Sequence, residues 1–185
     1  MKLDWGRVAR RIRIPLGFAF AGVYFWFARP AWRSLAIGAV VVLLGLWLRA
    51  FASGYVKKAA ELTTTGPYAY TRNPLYLGSM IMAAGFGVAA RNWWLGAGMV
   101  AVFLLIYLPV IRFEEELLRG LFPADFDAYF ARVPRLLPRL RAEKSDAPGE
   151  FSRALYLKHR EYQAAIGAAV MFAALAAKMV WWGTI

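Results

Sequence analysis

The sequence predicts an all-α integral membrane protein, a bundle of about five membrane-spanning helices with short interfacial helices between them. Three observations carry this. Of the 185 residues, 61% are apolar and 16% aromatic, more apolar surface than a soluble domain of this size can hide. The charges are swept out of long apolar windows and gathered between them. With the N-terminus inside, the inner segments hold 19 of the 23 Lys and Arg, counting Arg49 with them, and the outer side keeps only Arg29, Arg33, Arg91 and Lys178. That is the asymmetry that orients membrane chains. All eleven Asp and Glu also fall inside, so the chemistry is expected to face the cytoplasm from the inner (plasma) membrane.

The first span, residues 14–28, is short against the roughly 20 residues a crossing needs; Arg13 and Arg29 at its ends extend its reach by snorkelling. Arg29-Pro30 turns the chain into the second span, 35–53. There Gly38 and Gly45 lie seven apart on one face, where small residues let helices approach closely. Residues 1–53 thus form an N-terminal hairpin. The polar connection 54–74 carries a dense turn signal, Thr63-Thr64-Thr65-Gly66-Pro67-Tyr68. Asn73-Pro74 then reads as a helix cap and first turn, which starts the third span, 75–90, at Pro74.

A tight hairpin at Arg91-Asn92 leads to the fourth span, 93–111. Polarity changes abruptly at Arg112-Phe113-Glu114-Glu115-Glu116, and the helix is expected to run on and stop near Gly120. A short helix follows from Pro123, with Phe122, Phe126, Tyr129 and Phe130 on one face, a pattern suited to the membrane interface. Residues 54–141 form the functional core with two spans and a cytoplasmic site. Residues 142–185 hold a linker with Pro148-Gly149, a charged helix over 151–161 and the fifth span, 164–182. Trp5, Trp32, Trp47, Trp93, Trp94, Trp181 and Trp182 lie near span ends as interfacial anchors.

Several functions are excluded or disfavoured. With no Cys there is no disulfide or thiolate chemistry, and with His159 as the sole His there is no multi-His metal centre. No metal is expected. The net charge of +12 follows from topology and attraction to anionic membrane lipids; nucleic acid is not an expected partner, because no basic stripe lies on a soluble domain. Gly85-Phe86-Gly87 and Gly96-Ala97-Gly98 sit inside spans and serve packing, not nucleotide binding. The first apolar run lacks a small-x-small cleavage pattern and reads as an anchor.

Two clusters on the inner side could carry chemistry. The first, 66–78, packs three Tyr, Arg72 and Asn73 around a helix start, whose free N–H groups and positive potential attract anionic groups. The second is the Glu114-Glu115-Glu116 triplet at the mouth of the fourth span. Consecutive helical residues point about 100° apart, so the three cannot share one role, and at least one is expected to face the bundle. His159, at the inner mouth of the last span, titrates near neutrality when unperturbed and is a candidate proton acceptor.

Gly66-Pro67-Tyr68, then Arg72-Asn73-Pro74-Leu75-Tyr76, then Glu114-Glu115 with Leu118, Phe122, Tyr129, Val133-Pro134-Arg135 and Pro138, resembles the isoprenylcysteine carboxyl methyltransferase family and the related phospholipid methyltransferases. The resemblance covers roughly residues 50–140. It implies S-adenosylmethionine as cofactor, in a pocket at the cytoplasmic helix ends that opens sideways to the bilayer. It also implies a lipophilic small molecule or lipid as methyl acceptor. Carried over by position, the cofactor contacts are Glu61, Leu62, Thr63, Tyr68, Asn73, Pro74, Leu75, Tyr76 and Glu114. Two positions depart from the pattern. Asn73 stands where the family usually has His, and Val110 where the isoprenylcysteine enzymes place the Arg that meets the substrate carboxylate. Arg112, the nearest cation, and His159 are the candidate catalytic side chains. The alternatives are an NADPH-dependent membrane reductase of the sterol type, whose core has a similar turn, and a non-catalytic membrane scaffold.

Overall fold

The computed structural model describes residues 5–57, 61–143 and 149–182; of the anchors and linker named above, the side chains of Trp5, Arg13 and Trp182 and the segment 144–148 lie outside the described set. Among the described residues every regular element is helical. The elements are α1 (Trp5–Phe27), α2 (Trp32–Ser53), a 3-10 turn (Gly66–Ala69), α3 (Pro74–Ala90), α4 (Trp93–Val102), a π turn (Phe103–Tyr107), α5 (Leu108–Leu121), α6 (Pro123–Arg132), α7 (Arg153–Lys158) and α8 (Tyr162–Trp182).

Three helices are long and apolar enough to cross a membrane: Trp32–Ser53, the continuous rod Trp93–Leu121, and Tyr162–Trp181. Pro15–Phe27 and Pro74–Ala90 are shorter apolar helices. At 1.5 Å per residue the 17 residues of α3 reach about 25 Å, a little under the hydrocarbon core of a bilayer. The expected five-helix plan is present, with its first and third members the short ones. The second element begins at Trp32, three residues before the expected start.

Ile111, Val110, Val42 and Leu175 are buried, yet many large apolar side chains face outward. Exposed positions include Ile37, Val40, Leu43, Leu44, Leu104, Leu105, Ile166 and Val170, and Trp32, Trp47, Trp93, Trp94 and Trp181. The buried set also includes small and polar residues: Ala28, Ala52, Ala89, Ala90, Ser34, Ser53, Thr63, Thr71, Asn73 and Glu115. Lipid is the solvent that such a surface suits, because small residues then let helices pack without a hydrophobic drive.

The tightest packing is between α2 and α3. A Cβ on Gly38 would stand 2.6 Å from the Gly85 carbonyl oxygen, and one on Gly45 would stand 2.6 Å from that of Gly78. The glycines repeat at seven residues on both antiparallel helices, so each pair faces its counterpart with no room for a side chain. Ser34 Oγ donates to the Ala31 and Ala89 carbonyls, at 2.9 and 3.1 Å, and ties the far end of the same pair.

The C-terminal end of α1 is closed by another helix. Lys178 of α8 donates to the carbonyls of Phe25, Trp26 and Ala28 at 2.7, 2.7 and 2.9 Å. These are the orphan acceptors of a helix C-terminus, and a cation suits that end of the dipole. Arg91 turns the next hairpin in the left-handed region, at φ 49°, and Asn92 caps α4 by accepting from the Trp94 N–H at 3.1 Å.

Two breaks depart from expectation. The rod Trp93–Leu121 contains the π turn just before Pro109. Proline lacks an N–H and its ring crowds the carbonyl four residues earlier, and a wide turn relieves both. The charged helix expected over 151–161 is only Arg153–Lys158; His159 ends it and Arg160 adopts φ 54° before α8 begins at Tyr162. That left-handed step turns the chain so that Glu161 faces inward.

Candidate functional site

At the charged end of the bundle a cavity of about 870 Å³ lies between the helices, within the range of small-molecule sites. Its polar half is built by the connection after α2, the start of α3, and α5 and α6: Glu61, Leu62, Thr63, Tyr68, Arg72, Asn73, Glu114, Glu115 and Tyr129. Its apolar half is walled by Gly17, Phe18 and Ala21 of α1 and by Gly167, Val170 and Met171 of α8.

The nine positions Glu61, Leu62, Thr63, Tyr68, Asn73, Pro74, Leu75, Tyr76 and Glu114 all line this cavity. The 3-10 turn explains the Tyr68 position: Gly66 takes φ 58°, a region open to glycine, and the turn swings Tyr68 inward to 7% exposure. Its backbone carbonyl accepts from the Tyr129 hydroxyl at 2.6 Å. Burial pushes the Tyr68 phenol well above its ordinary pKa, and the nearby negative charges of Glu114 and Glu161 add to the rise. The phenol therefore stays protonated and can donate a hydrogen bond. Tyr76 meets Tyr107 edge to face, with ring centres 6.0 Å apart, and both line the cavity.

The acidic triplet divides by register. Glu116 is exposed, Glu114 is half-buried on the cavity wall, and Glu115 is buried. Glu115 accepts from Arg72 Nε (3.1 Å), Asn73 Nδ2 (3.0 Å) and Arg135 Nε (2.9 Å). Arg72 also lies over the Phe130 ring at 3.8 Å and donates to the Phe130 carbonyl. Backbone bonds lace the same loop to the segment after α6: Arg72 N to Pro134 O, Arg139 N to Tyr70 O, and Glu143 N to Ala69 O. Glu115 is thus the anchor of the cavity's ceiling. Asn73 begins α3 as expected, but its side chain does not cap the helix; its amide is spent on Glu115 and on the Arg135 carbonyl.

The face expected to lie on the membrane is split. Phe126 and Tyr129 are 3% and 5% exposed and line the cavity, while Phe130 remains exposed. The Tyr129 hydrogen bond to the loop draws that side of α6 inward.

Two candidates lie away from the cavity. Arg112 is exposed and not on its lining; it precedes Glu114 by two residues, about 200° around the helix. His159 ends α7, with Nδ1 3.1 Å from the Ser53 carbonyl oxygen. A carbonyl only accepts, so that nitrogen carries its hydrogen, and the contact pins α7 to the end of α2. Val110 is fully buried in a cluster with Ile106, against which Ile12, Leu16 and Tyr76 pack.

Sequence reasoning missed the pair at the floor of the polar half. Arg49 of α2 donates to Glu161 Oε1 and Oε2 (3.0 and 2.7 Å from Nη2, 3.0 Å from Nε), to Ser79 Oγ (2.6 Å) and to the Leu75 carbonyl (3.2 Å). The signal is Arg49 itself, since an ionisable residue inside a span needs a partner.

Residues 34–125 match the model of a family described as phospholipid methyltransferase. The nickel-cobalt-cadmium resistance protein NccN of Alcaligenes xylosoxydans xylosoxydans is 37% identical over 125 residues, covering 64% of this chain and 57% of that protein. The cobalt-zinc-cadmium resistance protein CzcN of Cupriavidus metallidurans is 31% identical over 144 residues, covering 73% of this chain and 65% of that protein. The chain therefore spans about three fifths of the length of these curated relatives. No solved structure matches it.

Proposed function

Because residues 34–125 belong to the phospholipid methyltransferase family, we propose that this membrane protein transfers a methyl group from S-adenosylmethionine to a lipophilic acceptor, with its site on the cytoplasmic side. The observation that carries the reading is the convergence of nine residues, from the loop after α2, the head of α3 and the middle of α5, on one cavity. The lining suits this cofactor. The Glu114 carboxylate offers acceptors for hydroxyl or amine hydrogens, and Tyr faces steady a sulfonium cation. The cavity's cations, Arg49 and Arg72, are both committed to carboxylates. Among the described residues that leaves no free cation on the lining for the extra phosphate of NADPH, which disfavours the reductase alternative.

When bound, the cofactor supplies an electrophilic methyl group, and an in-line displacement needs chiefly that the reactants be held close and aligned. The chain's part is to orient and to exclude water. The Glu115 anchor fixes the loop that carries Tyr68 and Asn73, and the Tyr76–Tyr107 pair closes one wall. The acceptor's entry is supported by the gap between α1 and α8: these helices meet near Lys178, while nothing lies within 4 Å of where a Cβ would stand on Gly17 or Gly167. An apolar tail enters there from lipid.

A free carboxylate on the acceptor finds no unpaired cation among the described lining residues, and an unpaired buried charge is expensive. Farnesylated cysteine is accordingly expected to be a poor acceptor. A methyl-transfer assay comparing it with lipid amines and apolar thiols tests this. Robust turnover of the prenylcysteine, abolished by Arg112→Ala, would contradict it.

A further inference from the structure

We propose that Glu161, held in place by Arg49, accepts a hydrogen bond from the polar head group of the methyl acceptor, so that the segment following the family-matched region selects a hydrogen-bond-donating head group over an acidic one. The inference rests on the methyltransferase reading above and deepens it. Three features of the molecule lead to it.

Glu161 lies on the cavity lining, although it sits 36 residues beyond the end of the matched segment at position 125. It gets there through a costly conformation, since Arg160 immediately before it takes φ 54°, disfavoured for any residue with a side chain. Without that step the 153–158 helix would run straight into α8 and Glu161 would follow a different face.

The chemistry offered to the cavity is that of an acceptor. Arg49 has five N–H donors, and Nε, Nη1 and Nη2 are engaged by Glu161, Ser79 and Leu75, which leaves little for a ligand anion. Glu161 is met twice at Oε2 but once at Oε1. A carboxylate oxygen accommodates about two hydrogens, so Oε1 can take another. A head group bearing N–H, O–H or S–H satisfies it; a carboxylate or phosphate is repelled.

The position is also right. Glu161, Glu114 and Tyr68 line the same cavity, and both carboxylates are near enough to the Tyr68 phenol to raise its pKa, with Glu114 on the cofactor's share of the lining. From Glu161 the wall continues through Gly167, Val170 and Met171, about 15 Å of α8 at the helical rise, along which an apolar tail would lie. In the transfer, the attacking atom's lone pair forms the bond to the methyl carbon and the carbon–sulfur pair returns to the sulfonium sulfur. The positive charge that appears on the attacking atom lies against Glu161 until the product leaves the cavity and its hydrogen passes to bulk water.

The test uses full-length protein in nanodiscs saturated with S-adenosylhomocysteine. The probes are radiolabelled dodecylamine, dodecanol, dodecanethiol and dodecanoate, read by equilibrium dialysis. Glu161→Gln should weaken the best of the three donor probes roughly tenfold or more, the equivalent of one charge-assisted hydrogen bond, and leave the S-adenosylhomocysteine isotherm unchanged. The paired exchange Arg49→Glu with Glu161→Arg keeps the ion pair and should move the preference towards dodecanoate, a change that a purely structural clamp would not produce. Unaltered probe affinities in Glu161→Gln, or equal losses for all four probes, would overturn the proposal. Wild-type protein that fails to bind S-adenosylhomocysteine would instead overturn the methyltransferase reading beneath it.

Discussion

Adjacent carboxylates on α5 have opposite environments, and their substitution should separate binding from folding. Glu114 lines the cavity and joins no ion pair among the described residues, so Glu114→Ala should weaken S-adenosylhomocysteine binding by about 1.5–3 kcal/mol with little change in thermal stability. Glu115 is buried between Arg72 and Arg135. Its removal strands two cations, and Glu115→Ala should cost about 3–5 kcal/mol of stability, read as a large drop in the melting temperature of the detergent-solubilised protein. If the two variants exchange these phenotypes, the register of α5 at the cavity is wrong. The sequence told that the three glutamates must diverge, because the helical step forces it. It could not tell which one turns inward, because the π turn before Pro109 resets the phase of everything after it. Asn73 was legible as the start of α3 but not as a ligand of Glu115, since a side chain that can cap can also turn away when a buried carboxylate competes for it.

At the level of elements, the pairing of α2 with α3 is the frame on which the site stands, because α3 presents Pro74, Leu75 and Tyr76 to the cavity from its first turn. The seven-residue glycine spacing on α2 was readable as a packing face; its partner became visible only once the antiparallel register set Gly38 against Gly85 and Gly45 against Gly78. Gly45→Leu cannot be absorbed by a flexible neighbour, since a backbone carbonyl stands 2.6 Å from its Cβ position. It should cost about 1–3 kcal/mol or more by overpacking. Gly96→Leu, where the added Cβ meets nothing within 4 Å, should leave the melting temperature nearly unchanged. Equal effects of the two would show that the α2–α3 contact is not the frame. The break between α7 and α8 was not legible. Residues 151–161 carry no proline or glycine after Gly149, and the turn is made by Arg160 in a conformation that sequence preference argues against.

For the molecule as a whole, five apolar helices place residues 5 and 182 at opposite ends of the bundle, and the distribution of Lys and Arg predicts an inner N-terminus. A topology reporter fused after Ile185 should be active only on the outer side; activity on the inner side would mean that one of the short helices, Pro15–Phe27 or Pro74–Ala90, does not cross. The central claim is that the cavity at the charged end is a methyl-donor site, and the most direct measurement is a calorimetric titration of the purified protein with S-adenosylhomocysteine, run beside NADPH. The account predicts saturable one-site binding of S-adenosylhomocysteine and none of NADPH. Saturable NADPH binding with no heat from S-adenosylhomocysteine would contradict it.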